Sequence, residues 1–243
     1  MSLKIDSFKK LRKEKNKWKT ETWEEYEDRE KAFLKERLLS KEPTIKGQVR
    51  ITAGSAKNVQ IDIPRTTRPL TDRMKVRVFD ILNTDIVNKE VLDLYAGSGS
   101  FGLEALSRGA KNATFVDAAK QAFGVLENNA KATGFSSSSE VIKMKVEEYL
   151  FKKTTEGNVV FDIIFMDPPY KLFNKKKMFN IEKVLNDASK LLPAVQKIKG
   201  RFKGAIIVKH PRRYPIEKLK LDNIKAYETF EFGLNCITIY IVK

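Results

Sequence analysis

Cysteine and histidine are nearly missing from this chain: 243 residues contain one of each. A lone Cys236 rules out a framework of internal disulfides and fits a reducing compartment. It lies in an alternating apolar stretch, so it reads as a buried strand residue. One histidine and one cysteine also leave no side-chain cluster for zinc. A metal would need a carboxylate site, none stands at a recognisable spacing, and no metal is expected. Long apolar runs are absent as well. Nothing approaches the roughly 20 residues of a membrane span, and no signal-peptide pattern is present. The expectation is a cytoplasmic protein with no membrane partner. An organellar setting is the alternative, should the N-terminal extension belong to an organelle-encoded or imported relative. Finally, neither Gly nor Pro occurs before Pro43. Nothing there interrupts good helix formers, and residues 1–45 read as a helical extension. Glu24, Glu25, Glu27 and Asp28 argue against an acid-poor transit peptide.

Positive charge is what the chain has in excess. Lys and Arg number 47 against 31 Asp and Glu, a net +16 with a pI near 9.7. A field of that sign favours a polyanion through counterion release, and nucleic acid is the usual one. The excess is uneven. Residues 171–220 hold fifteen Lys/Arg against three Asp/Glu, whereas residues 1–45 hold thirteen against ten. The extension therefore attracts RNA weakly. Its aromatics Phe8, Trp18, Trp23, Tyr26 and Phe33 suit packing on the core or on a protein partner. A hydrophobic share of 42% is enough for a packed core.

Three parts follow from the patterning: the extension 1–45, a hairpin with its linker 46–70, and an α/β domain 71–243. Residues 48–52 and 59–63 alternate apolar and polar around a turn-rich 53–58, which reads as a β-hairpin. A basic linker, Arg65 to Arg68, lies between Pro64 and Pro69. Thr71 or Asp72 then caps an amphipathic helix over 73–83, with Val76, Phe79, Ile81 and Leu82 as its apolar positions. Beyond residue 90, strands at 91–95, 113–117, 140–144, 161–166 and 204–209 alternate with helices at 102–107, 119–133, 147–152 and 176–192. That alternation calls for a mostly parallel sheet with right-handed crossovers. Two closing runs, 225–232 and 236–242, read as an antiparallel hairpin added to that sheet.

The first chemical motif is Asp93-Leu-Tyr-Ala-Gly-Ser-Gly-Ser-Phe-Gly102. A strand ends in a loop where Gly97 and Gly99 let backbone approach a ligand, and Ala96 and Ser98 lie in that loop. Asp117, at the end of the next strand, can accept both hydroxyls of a ribose. The Gly97-x-Gly99-x-x-Gly102 spacing suits NAD and S-adenosylmethionine alike. Asp93 tips the choice, because its carboxylate opposes a pyrophosphate and favours a cationic ligand with ammonium and sulfonium groups.

The second motif is Asp167-Pro-Pro-Tyr170, closing the apolar run 161–166. Two prolines stiffen the backbone and remove donors, leaving carbonyls near Asp167 and Pro168 as acceptors. A carboxylate and a rigid carbonyl together can take both hydrogens of an exocyclic NH₂. The Tyr170 ring can stack a base for about 1–3 kcal/mol. Such a site needs no histidine base, since the proton can leave after methyl transfer. Asp167, Pro168 and Tyr170 are the candidate catalytic residues.

With these pieces in order, the chain resembles the RsmD-type 16S rRNA guanine-N2 methyltransferases from about Val49 to the C-terminus. The resemblance rests on Arg50-Ile-Thr-Ala-Gly54, Thr67-Arg-Pro-Leu-Thr-Asp-Arg73, the run Val91 to Gly109 and the Asp-Pro-Pro-Tyr turn. It implies a Rossmann-like S-adenosylmethionine-dependent fold with a seven-stranded sheet and a reversed terminal hairpin. It implies transfer of a methyl group to guanine N2 of small-subunit rRNA during ribosome assembly; the expected partner is rRNA or the assembling subunit, and the expected state a monomer. It also implies an N-terminal hairpin that helps hold RNA. Arg50, Arg68 and Arg73 on the hairpin side, with Lys175, Lys176, Lys177, Arg212 and Arg213 beside the strand ends, are the candidate RNA contacts. Departures from the family pattern are Asp117 in place of glutamate, Lys145 near an adenine contact that then falls to backbone at Val146, and Lys209 where an acid is common. Rival readings are a DNA amino-methyltransferase, a protein glutamine methyltransferase and a non-catalytic RNA-binding assembly factor.

Overall fold

The computed structural model describes residues 45–65, 70–157, 160–173, 178–193 and 204–243, with Glu25, Asp28 and Ala32 singly. The expected extension therefore lies almost wholly outside the described residues, as do Arg68 and Lys175–Lys177.

Strands β1 (Ile45–Arg50) and β2 (Gln60–Pro64) form a two-stranded antiparallel sheet, with Arg50 opposite Gln60. Helix α1 (Asp72–Leu82) follows, and of its two candidate caps Thr71 is the one used: Oγ1 accepts from the Met74 N–H at 3.4 Å. The remaining elements are β3 (Glu90–Leu94), α2 (Ser100–Ser107), β4 (Asn112–Asp117), α3 (Lys120–Ala132), β5 (Ser139–Lys143), α4 (Val146–Glu156), β6 (Ile163–Met166), α5 (Met178–Ser189), β7 (Ala205–Pro211), β8 (Ile224–Phe232) and β9 (Asn235–Val242).

Seven strands make one sheet in the order β5-β4-β3-β6-β7-β9-β8. The first five run parallel. The terminal hairpin is inserted with a refinement: β9 lies between β7 and β8 and is antiparallel to both, so β8 points along the parallel strands again. A bulge between Ala226 and Glu228 interrupts β8, and Tyr227 there is exposed. Cys236 is buried on β9.

Period-two alternation splits the core into two layers. On β6, Ile163 and Phe165 face α1, α2 and α3, while Ile164 and Met166 face α4 and α5. Phe101 stacks on Phe165 with ring centroids 4.8 Å apart. Burying side chains of this size contributes about 1.5–3 kcal/mol each. Helix α1 departs from its sequence pattern. Val76 faces solvent, and Lys75 is fully buried with Met74, Val78, Phe79 and Leu82. Among the described residues no helix is long and apolar enough to cross a membrane.

Candidate active site

The carboxyl ends of β3, β4 and β6 converge, and all three acidic residues singled out from the sequence lie there. β3 sits between β4 and β6, pairing Leu94 with Val116 and with Met166. Beyond the strands, the Asp167 N–H donates to Leu94 O at 3.3 Å and the Ala96 N–H to Val116 O at 3.2 Å. The loop after β3 turns sharply. Tyr95 takes φ +57°, unusual for a bulky residue, and Gly97 follows at +56°. The Tyr95 hydroxyl donates to Glu147 Oε1 at 3.3 Å, which ties this loop to the first turn of α4.

Gly99 and Gly102 also serve packing. A Cβ on Gly99 would stand 2.4 Å from Leu126 Cδ2, and one on Gly102 2.3 Å from Phe115 Cε1. Their lack of a side chain lets the start of α2 lie close on α3 at Gly99 and on β4 at Gly102. Asp117 supports the same loop, since Oδ2 accepts from the Gly97 N–H at 2.9 Å and Oδ1 from the Ala119 N–H at 2.8 Å. Burial pushes its carboxyl above the usual range, and these two N–H groups oppose the rise.

Asp93 is 2% exposed, and its Oδ2 accepts from the Gly102 N–H at 2.9 Å. Burial drives its carboxyl well above the ordinary value. Gly102 counters that, while the carboxylates of Asp167 and Asp117 add to it. The carboxylates of Asp117 and Asp167 both bear on Asp93, an acidic setting that disfavours a pyrophosphate. This acceptor set fits a ligand carrying ammonium, sulfonium and ribose hydroxyls. Ala96 and Ser98 are buried in the loop wall, and Val146 opens α4 just after the exposed Lys145.

Two contacts at the Asp-Pro-Pro-Tyr turn were not foreseen from the sequence. Lys209 Nζ lies 2.7 Å from Asp167 Oδ2, with the lysine side chain 3% exposed. The Tyr170 hydroxyl donates to Asn235 Oδ1 at the start of β9, although sequence reasoning gave the hydroxyl no role. Pro168 is buried and Pro169 exposed.

A second unforeseen set binds the hairpin to the core. Glu104 on α2 accepts from Thr52 N at 2.8 Å, Thr52 Oγ1 at 2.5 Å, Ala53 N at 3.1 Å and Arg108 Nε at 3.0 Å. Gly54, at φ +84°, packs so tightly that a Cβ would fall 1.8 Å from Ser107 O. Asn129 completes the link. Its Nδ2 donates to Asp62 O at 2.8 Å and Ser98 O at 2.9 Å, joining β2 to the glycine loop.

The described basic candidates lie at the surface, each with a partner. Arg50 pairs with Asp72 at 2.8 Å and Arg212 with Glu231 at 3.0 Å. Arg73 sits 6.0 Å over the Phe232 ring, and Arg213 5.0 Å over Tyr214.

The model of the family described as conserved hypothetical protein 95 matches residues 49–241. Ribosomal RNA small subunit methyltransferase D of Haemophilus influenzae is 38% identical over 131 residues, 53% of this chain and 67% of the relative. Its namesake in Buchnera aphidicola from Acyrthosiphon pisum is 33% identical over 187 residues, 74% of this chain and 92% of the relative. The chain belongs to the methyltransferase D family. A solved structure of a putative methylase from Haemophilus influenzae superposes with a TM-score of 0.61 at 28% identity, covering 81% of this chain and 99% of that one. As a methyltransferase D family member the chain is an enzyme with the Rossmann-like methyltransferase fold. The Glu104–Thr52 and Gly54–Ser107 contacts join two of the four family-like segments, Arg50 to Gly54 and the run Val91 to Gly109.

Proposed function

We propose that this enzyme transfers a methyl group from S-adenosylmethionine to the N2 amine of a guanine in small-subunit rRNA. The observation that carries the reading is the adjacency of two loops: Asp93 and the glycine loop on β3, and Asp167 with its prolines on the neighbouring β6. One holds a cation, the other an amine. When bound, the cofactor supplies an electrophilic methyl on its sulfonium. Asp93 and Asp117 hold its cationic and hydroxyl groups, with Ala96, Gly97, Ser98, Gly99 and the Val146 backbone shaping the pocket. Asp167 and the Pro168 carbonyl accept the two amine hydrogens and turn the nitrogen toward the methyl carbon. Tyr170 stacks the base. Placement and preorganised acceptors are enough for this chemistry.

The charge of +16 supports a polyanionic substrate, as do the relatives, which are ribosomal RNA methyltransferases. Arg50, Arg73, Arg212 and Arg213, together with Arg68 and Lys175–Lys177, form the RNA-facing set. The enzyme works as a cytoplasmic monomer on rRNA or on the assembling subunit.

Labelled cofactor offered with small-subunit rRNA, with assembled subunits and with DNA, followed by nucleoside analysis, tests the reading. Label in N2-methylguanosine from rRNA is the expected result. Label in a DNA base, or cofactor binding without transfer to any of the three, overturns it.

A further inference from the structure

Lys209 is a buried charged group at the Asp167 turn, and the proposed mechanism leaves it without a task. It lies near the end of β7, 3% exposed, with Nζ 2.7 Å from Asp167 Oδ2 and 6.0 Å from the Tyr170 ring centroid. The ammonium thus lies close both to the carboxylate that takes the target amine and to the ring that stacks the target base. An ammonium has three hydrogens to donate and accepts none. Among the described residues it has one hydrogen-bond partner, Asp167. A buried cation with donors to spare calls for an acceptor. Whatever sits against Asp167 and Tyr170 together meets those donors.

We infer that Lys209 reads the base, donating to the ring nitrogen that flanks the target amine. The inference rests on the proposed guanine substrate. Guanine N2 hangs from a carbon between N3, which carries a lone pair, and N1, which carries a hydrogen. A carboxylate and an ammonium side by side complement N2–H and N3, donor to acceptor and acceptor to donor. The flipped base would aim N1–H at the ammonium, donor against donor. Asp167 and Lys209 together therefore fix which edge of the guanine enters, and so which amine hydrogen faces Asp167. The Asp167 carboxylate has four lone-pair directions, so its pairing with Lys209 does not exhaust its accepting capacity.

The test uses the full-length enzyme and the small-subunit RNA it methylates, prepared with guanosine or 3-deazaguanosine at the modified position. The deaza base replaces the N3 lone pair with C–H and leaves the amine in place. Wild type should lose about ten- to a hundredfold in kcat/KM on the deaza RNA, the usual worth of a hydrogen bond to a charged group. Lys209→Met should suffer a similar loss on guanosine RNA, at unchanged cofactor affinity, and should no longer distinguish the two RNAs. Lys209→Arg keeps a cationic donor and should retain part of the distinction. Equal rates of wild type on both RNAs overturn the inference without any variant having to fold. So does a Lys209→Met enzyme that discriminates as strongly as wild type. A wild-type product other than N2-methylguanosine overturns instead the function on which the inference rests, and it is seen before the RNAs are made.

Discussion

Lys75 Nζ lies 3.5 Å from Glu104 Oε2, and neither side chain has any solvent exposure. Burial pushes the Lys75 ammonium below the usual lysine range, and Glu104 and then Asp72 pull it back. Glu104 also accepts from Thr52, Ala53 and Arg108, so its removal leaves two backbone donors without an acceptor and the buried Lys75 with only the Arg50 carbonyl and Asp72. Glu104→Ala should cost about 3–5 kcal/mol, the range for breaking a buried pair from one side. Urea unfolding reads this directly, and a loss below 1 kcal/mol would show that the network is incidental.

Asp117 braces the glycine loop, and the proposed function also gives it the cofactor's ribose. Asp117→Ala should therefore weaken cofactor binding by on the order of 1–3 kcal/mol and also lower the melting temperature of the free protein, because two backbone donors lose their acceptor. Calorimetry and thermal melts together decide. Lower affinity with an unchanged melt would confine Asp117 to ligand contact.

Asp93 predicts a pH effect on cofactor affinity. Its carboxyl titrates well above the ordinary carboxylate range because it is buried and faces two other acids. A cationic ligand binds the ionised form, so affinity should rise as pH climbs through the raised value. The stability of the free protein should fall over the same window, because the folded state there holds a proton that the unfolded chain has released. Asp93→Asn keeps an acceptor for Gly102 and should flatten both profiles. A wild-type Kd independent of pH would contradict this.

Loss of the Tyr170 hydroxyl should register in KM. The ring is steered by its bond to Asn235, so Tyr170→Phe should raise KM for RNA severalfold with kcat little changed, whereas Tyr170→Ala loses the stacking platform itself. Asp167→Ala should lower turnover by about 10²–10³ with cofactor binding intact. A Tyr170→Phe enzyme identical to wild type would free the ring from that restraint.

His210 should set the acid limit of stability. It is 1% exposed, its Nδ1 lies 3.0 Å from the Tyr214 carbonyl, and its Nε2 lies 2.9 Å from Thr238 Oγ1. A carbonyl only accepts, so Nδ1 carries the hydrogen and Nε2 accepts from Thr238. Burial lowers its pKa. The unfolded chain takes up a proton near its ordinary value, about 6.5, while the folded protein does not. Stability should thus decline as pH drops below that value. His210→Gln should lose that part of the slope.

The layout of strands and helices was legible because each rests on local periodicity, and the two chemical loops because their residues are neighbours in sequence. Lys209 shows where legibility ends. It sits in an apolar strand, and its partner is 42 positions away, so no local pattern announces an ion pair. Lys75 was illegible for a related reason. At a helical position, a lysine reads as solvent-facing unless the carboxylate 29 residues on is known to wait for it. Gly54 was noticed only as part of a resemblance, since its reason is the backbone of Ser107.

The interruption of β8 has a consequence for the protein's behaviour at high concentration. This strand is one open margin of the sheet, where unpaired backbone groups invite another chain to add on. The bulge at Ala226–Glu228 breaks the spacing an incoming strand would have to match, and Lys225, Glu228 and Glu231 line the margin with charge of both signs. Self-association by sheet extension is discouraged there, which keeps a strongly apolar β-framework dispersed while the enzyme waits for its RNA.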